Sequence, residues 1–213
     1  MAILYRATVT PSKIDLLSAW APGQPWLGDA DARSLQIVGS YRFDDPDGEV
    51  GVETLLLRSA DGQVLQVPVT YRGSPLAGAE PSLIGTVQHS VLGERWVYNA
   101  CGDPVYARVL ATAILTGGAH AEADVVTSTG YERRPATTKV SGSGVPDATV
   151  LAVGAVSYRD EGTKTIVRTG NLELTVARVI DAIDVPNPAG VGVLTGTWPG
   201  QDEPVLLASA DYV

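Results

Sequence analysis

The sequence predicts an α+β fold: an antiparallel sheet packed on one or two helices, followed by a β-rich antiparallel domain. Two observations lead there. Apolar residues make up 45% of the 213-residue chain while aromatics reach only 6%, a mixture that favours sheet and tight turns over a large helical bundle. Apolar and polar residues alternate through segment after segment, the period of a half-buried strand, and give way to a helical period in only two places.

Residues 2–9 are apolar and read as a first strand. Thr10 is placed to cap a helix with Pro11 at its first position, where a missing N–H costs nothing. Ile14, Leu17 and Ala21 form that helix's apolar face, with Leu16 and Trp20 beside them, and Pro22-Gly23-Gln24-Pro25 stops it. From Leu35 the period is two, with Leu35, Ile37, Tyr41 and Phe43 on one face and Gly39 between them. Asp44, Asp45 and Asp47 form a turn with Gly48, their side chains bonding their own backbone. Residues 49–58 and 64–71 are strands joined by the hairpin signal Asp61-Gly62. Pro68 cannot donate to a ladder, which predicts an edge strand or a bulge there. Gly73, Pro75, Gly78 and Pro81 then punctuate a loop, and a second hairpin carries His89, Trp96 and Tyr98.

Asp103 and Pro104 open a second helix, with Val105, Val109 and Ala113 in one row and Tyr106, Leu110 and Ile114 in the next. Gly117-Gly118 ends it. The first domain is therefore placed at residues 1–118 and the second at 119–213. An alternative boundary falls as late as 145, because residues 136–144 (ATTKVSGSG) shift towards small polar residues and read as a linker. After that come strand-like runs at 150–158, 165–169, 172–180, 191–198 and 205–212, and no helix.

The formal net charge is −9 and the pI about 4.6. An acidic surface without a basic cluster argues against nucleic acid or anionic lipid as partners. No apolar run reaches membrane-spanning length. Cys101 is the single cysteine, so an internal disulfide is excluded and the expected location is the cytoplasm.

No cofactor or metal is expected, and no catalytic residue is assigned. Gly142 and Gly144 lack the third glycine of a phosphate-binding loop. His89 has Glu80 and Glu94 nearby in sequence, as a general base would want, but reads first as a turn residue bonding backbone. Cys101 precedes a helix start, where the dipole favours thiolate, yet buried structural cysteines are commoner. The aromatics Trp20, Trp26, Tyr71, Trp96, Tyr98 and Trp198 read as core before they read as sugar platforms. Arg72, Glu80, His89, Arg95 and Trp96 are the candidate interaction surface: polar or aromatic side chains on a loop-rich stretch, where function concentrates.

The segments LQVPVTYRGSPLAGAE, LIGTVQHSVLGERWVY and DPVY, in that order, resemble the N-terminal cap of actinobacterial maltokinases. The opening LYRATVTPSKIDLLSAW is similar too. The resemblance implies that the first sheet is curved and cystatin-like, and that a sheet resembling a protein-kinase N-lobe follows. In that alignment Thr175 takes the place of the phosphate-gripping lysine, and a hydroxyl supplies no ammonium charge. Text resembling a kinase catalytic loop or metal motif does not occur after Val150. The expectation is a non-catalytic, cap-like binding or regulatory protein, with a protein partner in maltose, trehalose or glycogen metabolism. Alternatives are a nucleotide- or α-glucan-binding protein, an enzyme centred on His89 and Cys101, and a structural subunit that assembles through a strand edge near Pro68. The oligomeric state is not given by the sequence.

Overall fold

The computed structural model describes residues 2–4, 7–127, 130–134, 136–148, 150, 153–180 and 192–213. In chain order, β1 (Ala2–Leu4) and β2 (Val9–Thr10) precede helix α1 (Lys13–Trp20). The strands β3 (Gln36–Phe43), β4 (Gly51–Arg58), β5 (Val64–Arg72), β6 (Leu83–His89) and β7 (Gly93–Asn99) lead to helix α2 (Pro104–Thr116). Then come β8 (Ala123–Thr127), β9 (Gly130–Arg134), β10 (Lys139–Gly142), β11 (Ser157–Glu161), β12 (Lys164–Thr169), β13 (Leu172–Ala177), β14 (Gly192–Trp198) and β15 (Gln201–Tyr212). The α+β expectation holds, as a curled antiparallel sheet of order β2-β6-β7-β5-β4-β3 and a second antiparallel sheet of order β10-β14-β15-β13-β12-β11.

The first stretch differs from its prediction. Residues 2–9 are not one strand: β1 runs parallel to β8 in a separate three-stranded sheet, whereas β2 pairs with the end of β6. Thr10 stays in that ladder opposite Gln88, so it cannot also cap a helix. The cap is Ser12, whose hydroxyl accepts from the Asp15 N–H at 3.2 Å. Pro11, joined to Thr10 by a cis peptide bond, stands between strand and helix.

Pro68 lies neither at an edge nor at a bulge, since β5 sits between β4 and β7. N–H groups two residues apart along a strand share one edge. The Gln66 N–H on that edge donates to the Arg178 carbonyl at 2.8 Å, while pairing with β7 begins only at Val69. The proline nitrogen therefore falls in the gap between two partners, where no ladder bond is lost. This removes the open strand edge proposed near Pro68 as an assembly surface.

The second helix forms as its sequence dictates. Asp103 Oδ1 accepts from the Val105 N–H at 2.9 Å, Pro104 takes the first helical position, and Gly117 closes the helix in the left-handed region at φ 70°. Segment 136–144 is no free tether. Part of it is β10, paired with β14. Beyond that, Gly142 N–H donates to Gly118 O and Gly144 N–H to Ile114 O, both at 2.8 Å. Small residues here permit backbone to lie against backbone, which composition alone makes look like a linker.

Two apolar clusters result. Leu17 of α1 and Trp26 bury with Leu55, Leu57, Leu65, Val67, Val69, Val87 and Val97 on one face of the first sheet. On the other face Tyr41, Phe43 and Leu56 join α2 residues Tyr106, Leu110 and Ile114. Leu174, Val176, Leu194 and Leu207 of the second sheet belong to that same cluster.

Candidate functional site

The five predicted surface residues fall in three places. Arg72 stands opposite Trp96 on neighbouring strands, and Trp96 opposite Thr86, so these share one face of the sheet. Arg95 is paired with Val87 and His89 with Gly93, which puts Arg95 and His89 on the opposite face, towards α1. Glu80 lies in the loop before β6, its carboxylate accepting from the Gly78 N–H at 3.1 Å.

Arg72 is committed to structure. Its Nε and Nη2 reach Asp103 Oδ2 and Oδ1, each at 2.7 Å, and Thr70 Oγ1 donates to the same carboxylate at 2.7 Å. That bidentate pair ties β5 to the start of α2, with Asp103 fully buried. Trp96 stays half-buried on the outer side, whereas Trp26, Trp198 and Tyr98 are core.

His89 Nδ1 accepts from the Val91 and Leu92 N–H groups at 3.2 and 3.1 Å, so the imidazole shapes the β6–β7 turn. Burial, with the charges of Arg95 and Lys13 behind it, lowers its pKa. Cys101 follows the other end of β7, fully buried, and burial raises its thiol pKa despite the opposing charge of Arg178. The seven residues of β7 stand between them, about 23 Å of strand. The structure does not bring His89 and Cys101 together. Asp45 accepts from the Asp47, Glu49 and Val50 N–H groups, and Arg108 bridges Asp45 and Asp47 at 2.9 and 2.8 Å. Among the described residues no three metal-ligating side chains gather.

Two buried networks were not foreseen. Arg178, just past β13, is wholly buried. Its Nε donates to Thr165 Oγ1 at 2.7 Å, its Nη2 to Asn99 Oδ1 at 2.7 Å, and its guanidinium lies 5.1 Å from the Trp26 ring centre. Thr165 passes the contact to Asp160 at 2.5 Å. Gln66 works beside it, donating to the Ala177 and Leu207 carbonyls at 2.8 Å while accepting from the Tyr41 hydroxyl at 3.0 Å. A charged residue directly after an alternating apolar strand, as in LELTVARVI, was the available signal.

The second network surrounds Glu53. Lys13 Nζ stands at 2.6 Å, Arg42 Nη2 at 3.0 Å and the Tyr71 hydroxyl at 3.0 Å, with Lys13 also 5.5 Å above the Tyr71 ring. Burial alone would raise this carboxyl, but the Arg42 and Lys13 charges and the hydrogen bonds from Lys13 and Tyr71 outweigh it and bring the pKa from 4.5 to about 2. Arg95 lies on the same face of the sheet. Its guanidinium lies over Gly73, where a Cβ would stand only 2.7 Å from Nη1.

In both networks the short hydrogen bonds and ion pairs run between the protein's own groups. No curated protein matches the chain. The first sheet, from the end of α1 through β7 to the Asp103 cap of α2, is where a family model does match: residues 20–103 are similar to the maltokinase N-terminal cap domain.

Proposed function

We propose that this protein is a non-catalytic, cap-type binding or regulatory protein that contacts an enzyme of maltose, trehalose or glycogen metabolism in the cytoplasm. The carrying observation is the match of residues 20–103 to the maltokinase N-terminal cap domain. Internal engagement supports binding over catalysis: Arg72 is spent on Asp103, His89 on its own turn, and Cys101 is sealed beside Arg178. Thr175, at the position aligned with a nucleotide-gripping lysine, carries no charge, which favours a pseudokinase-like platform over a phosphate site.

The test is affinity capture of the tagged chain from its native cytoplasm after mild crosslinking. Reproducible recovery of a sugar kinase, a trehalose synthase or a glycogen enzyme is the expected outcome. Recovery of none of these, together with calorimetric heats from magnesium ATP or short α-glucans, would replace this reading with the small-molecule one.

A further inference from the structure

On an acidic chain, one corner gathers positive charge. Lys13 and Arg42 both converge on the single carboxylate Glu53, at 2.6 and 3.0 Å. The acidic residue of the first turn of α1, Asp15, is turned back onto the Ser12 hydroxyl at 2.6 Å. Arg95 reaches over Gly73 on the same face, and among the described residues no carboxylate forms an ion pair with it. Two cations thus face one buried carboxylate, and Arg95 adds a further positive charge on the same face of the sheet.

An apolar feature adjoins it. The β6–β7 turn carries Val91 and Leu92, 55% and 42% exposed, and both backbone N–H groups of this tip close on the His89 ring. The tip is held by the N-terminal segment, since Ser90 N–H donates to Thr8 O at 3.0 Å and Thr8 N–H to Ser90 Oγ at 3.1 Å. A fixed apolar knob beside unneutralised guanidinium charge is complementary to a segment that alternates acidic and apolar side chains.

We propose that Lys13, His89, Arg95, Val91 and Leu92 form a docking surface for an acidic, leucine-containing segment of a protein partner. This deepens the binding function argued above and rests on it. Arg95 supplies the pairing charge, Val91 and Leu92 the apolar contact, and the rigid turn keeps the cost of ordering low.

The full chain, labelled with ¹⁵N, would be titrated with acetyl-Glu-Leu-Glu-Leu-Asp-amide and with its all-lysine counterpart. The acidic peptide should shift the amides of residues 12–15, 73 and 89–95 and lose its effect as salt is raised, and the lysine peptide should shift none of them. Arg95→Glu should weaken binding by about tenfold, and Leu92→Ser by about threefold, each with an amide spectrum as dispersed as the parent's. Equal response to both peptides, shifts centred elsewhere, or undiminished binding by Arg95→Glu would overturn the proposal. So would inorganic phosphate reproducing the same shifts and displacing the peptide, which would mark a small-anion site. A captured enzyme retained equally by Arg95→Glu would overturn this surface and leave the binding function standing. Capture of no enzyme by the parent chain would strike the function itself.

Discussion

At Glu53 the balance between desolvation and charge has a measurable consequence. The carboxyl titrates at its ordinary 4.5 when the chain unfolds and at about 2 when it is held by Arg42, Lys13 and Tyr71. A depressed folded pKa contributes stability that is complete above 4.5 and disappears as pH falls from 4.5 towards 2. The contribution is on the order of 3 kcal/mol. Glu53→Gln should flatten the acid limb of a urea-midpoint-versus-pH curve over that window, and an unchanged limb would refute the network's role. Arg178 is the other decisive residue. Arg178→Ala takes the guanidinium donors from Asn99 and Thr165, leaves them only the Cys101 N–H and the Asp160 carboxylate, and opens a void beside Trp26, costing about 3 kcal/mol, or roughly 6–12 °C in melting temperature for a chain of this size. Arg178→Lys should recover only part of this, since one ammonium cannot serve Thr165 and Asn99 in the same fork. Neither carboxylate nor guanidinium was singled out from sequence. Their importance comes from partners on distant strands, as with Lys13 and Glu53, 40 residues apart. Arg72 reads as surface because it stands on a loop-rich stretch; the sequence shows Asp103 only as a helix cap, whereas its one carboxylate serves both.

Elements were most legible where local chemistry is self-contained. The Asp103-Pro104 start and Gly117 stop of α2, and the hairpin at Asp61-Gly62, need only their own neighbours and were read directly. The start of α1 was misplaced by two residues because Thr10 is claimed by β6, a partner 78 residues away that no local pattern announces. The glycines after α2 were misread for the opposite reason: what they touch, not what they are, fixes their role. A Cβ at Gly142 would overlap the Ala113 carbonyl, and one at Gly144 the Leu115 carbonyl. Gly142→Ala and Gly144→Ala should each destabilise by about 1–3 kcal/mol, lowering the urea midpoint and the hydrogen-exchange protection of the last turn of α2. Gly154, with nothing within 4 Å of its Cβ position, is the control, and Gly154→Ala should stay within about 0.5 kcal/mol of the parent.

For the whole molecule the question is how the two sheets share stability. The sequence divides the chain at the end of α2, at 118, or by composition as late as 145, but either division describes segments and not the surfaces they present to each other. In the folded protein α2 buries Tyr106, Leu110 and Ile114 in one cluster with Leu56 of the first sheet and with Leu174, Val176 and Leu194 of the second. Gln66 and Arg178 add hydrogen bonds that run both ways between β5 and the end of β13 with the residue after it. Stability gained by burying an apolar face depends on both sides of the contact being present. Guanidinium unfolding should therefore give one transition, with coincident midpoints by far-ultraviolet circular dichroism and by tryptophan fluorescence. That fluorescence includes Trp26 under α1 and Trp198 in β14. A chain of residues 1–118 would expose Tyr41, Leu56, Leu110 and Ile114 and should show no cooperative transition of its own. Two separated transitions in the full chain, or a sharp one in the shortened chain, would instead make position 118 a boundary between independently stable units.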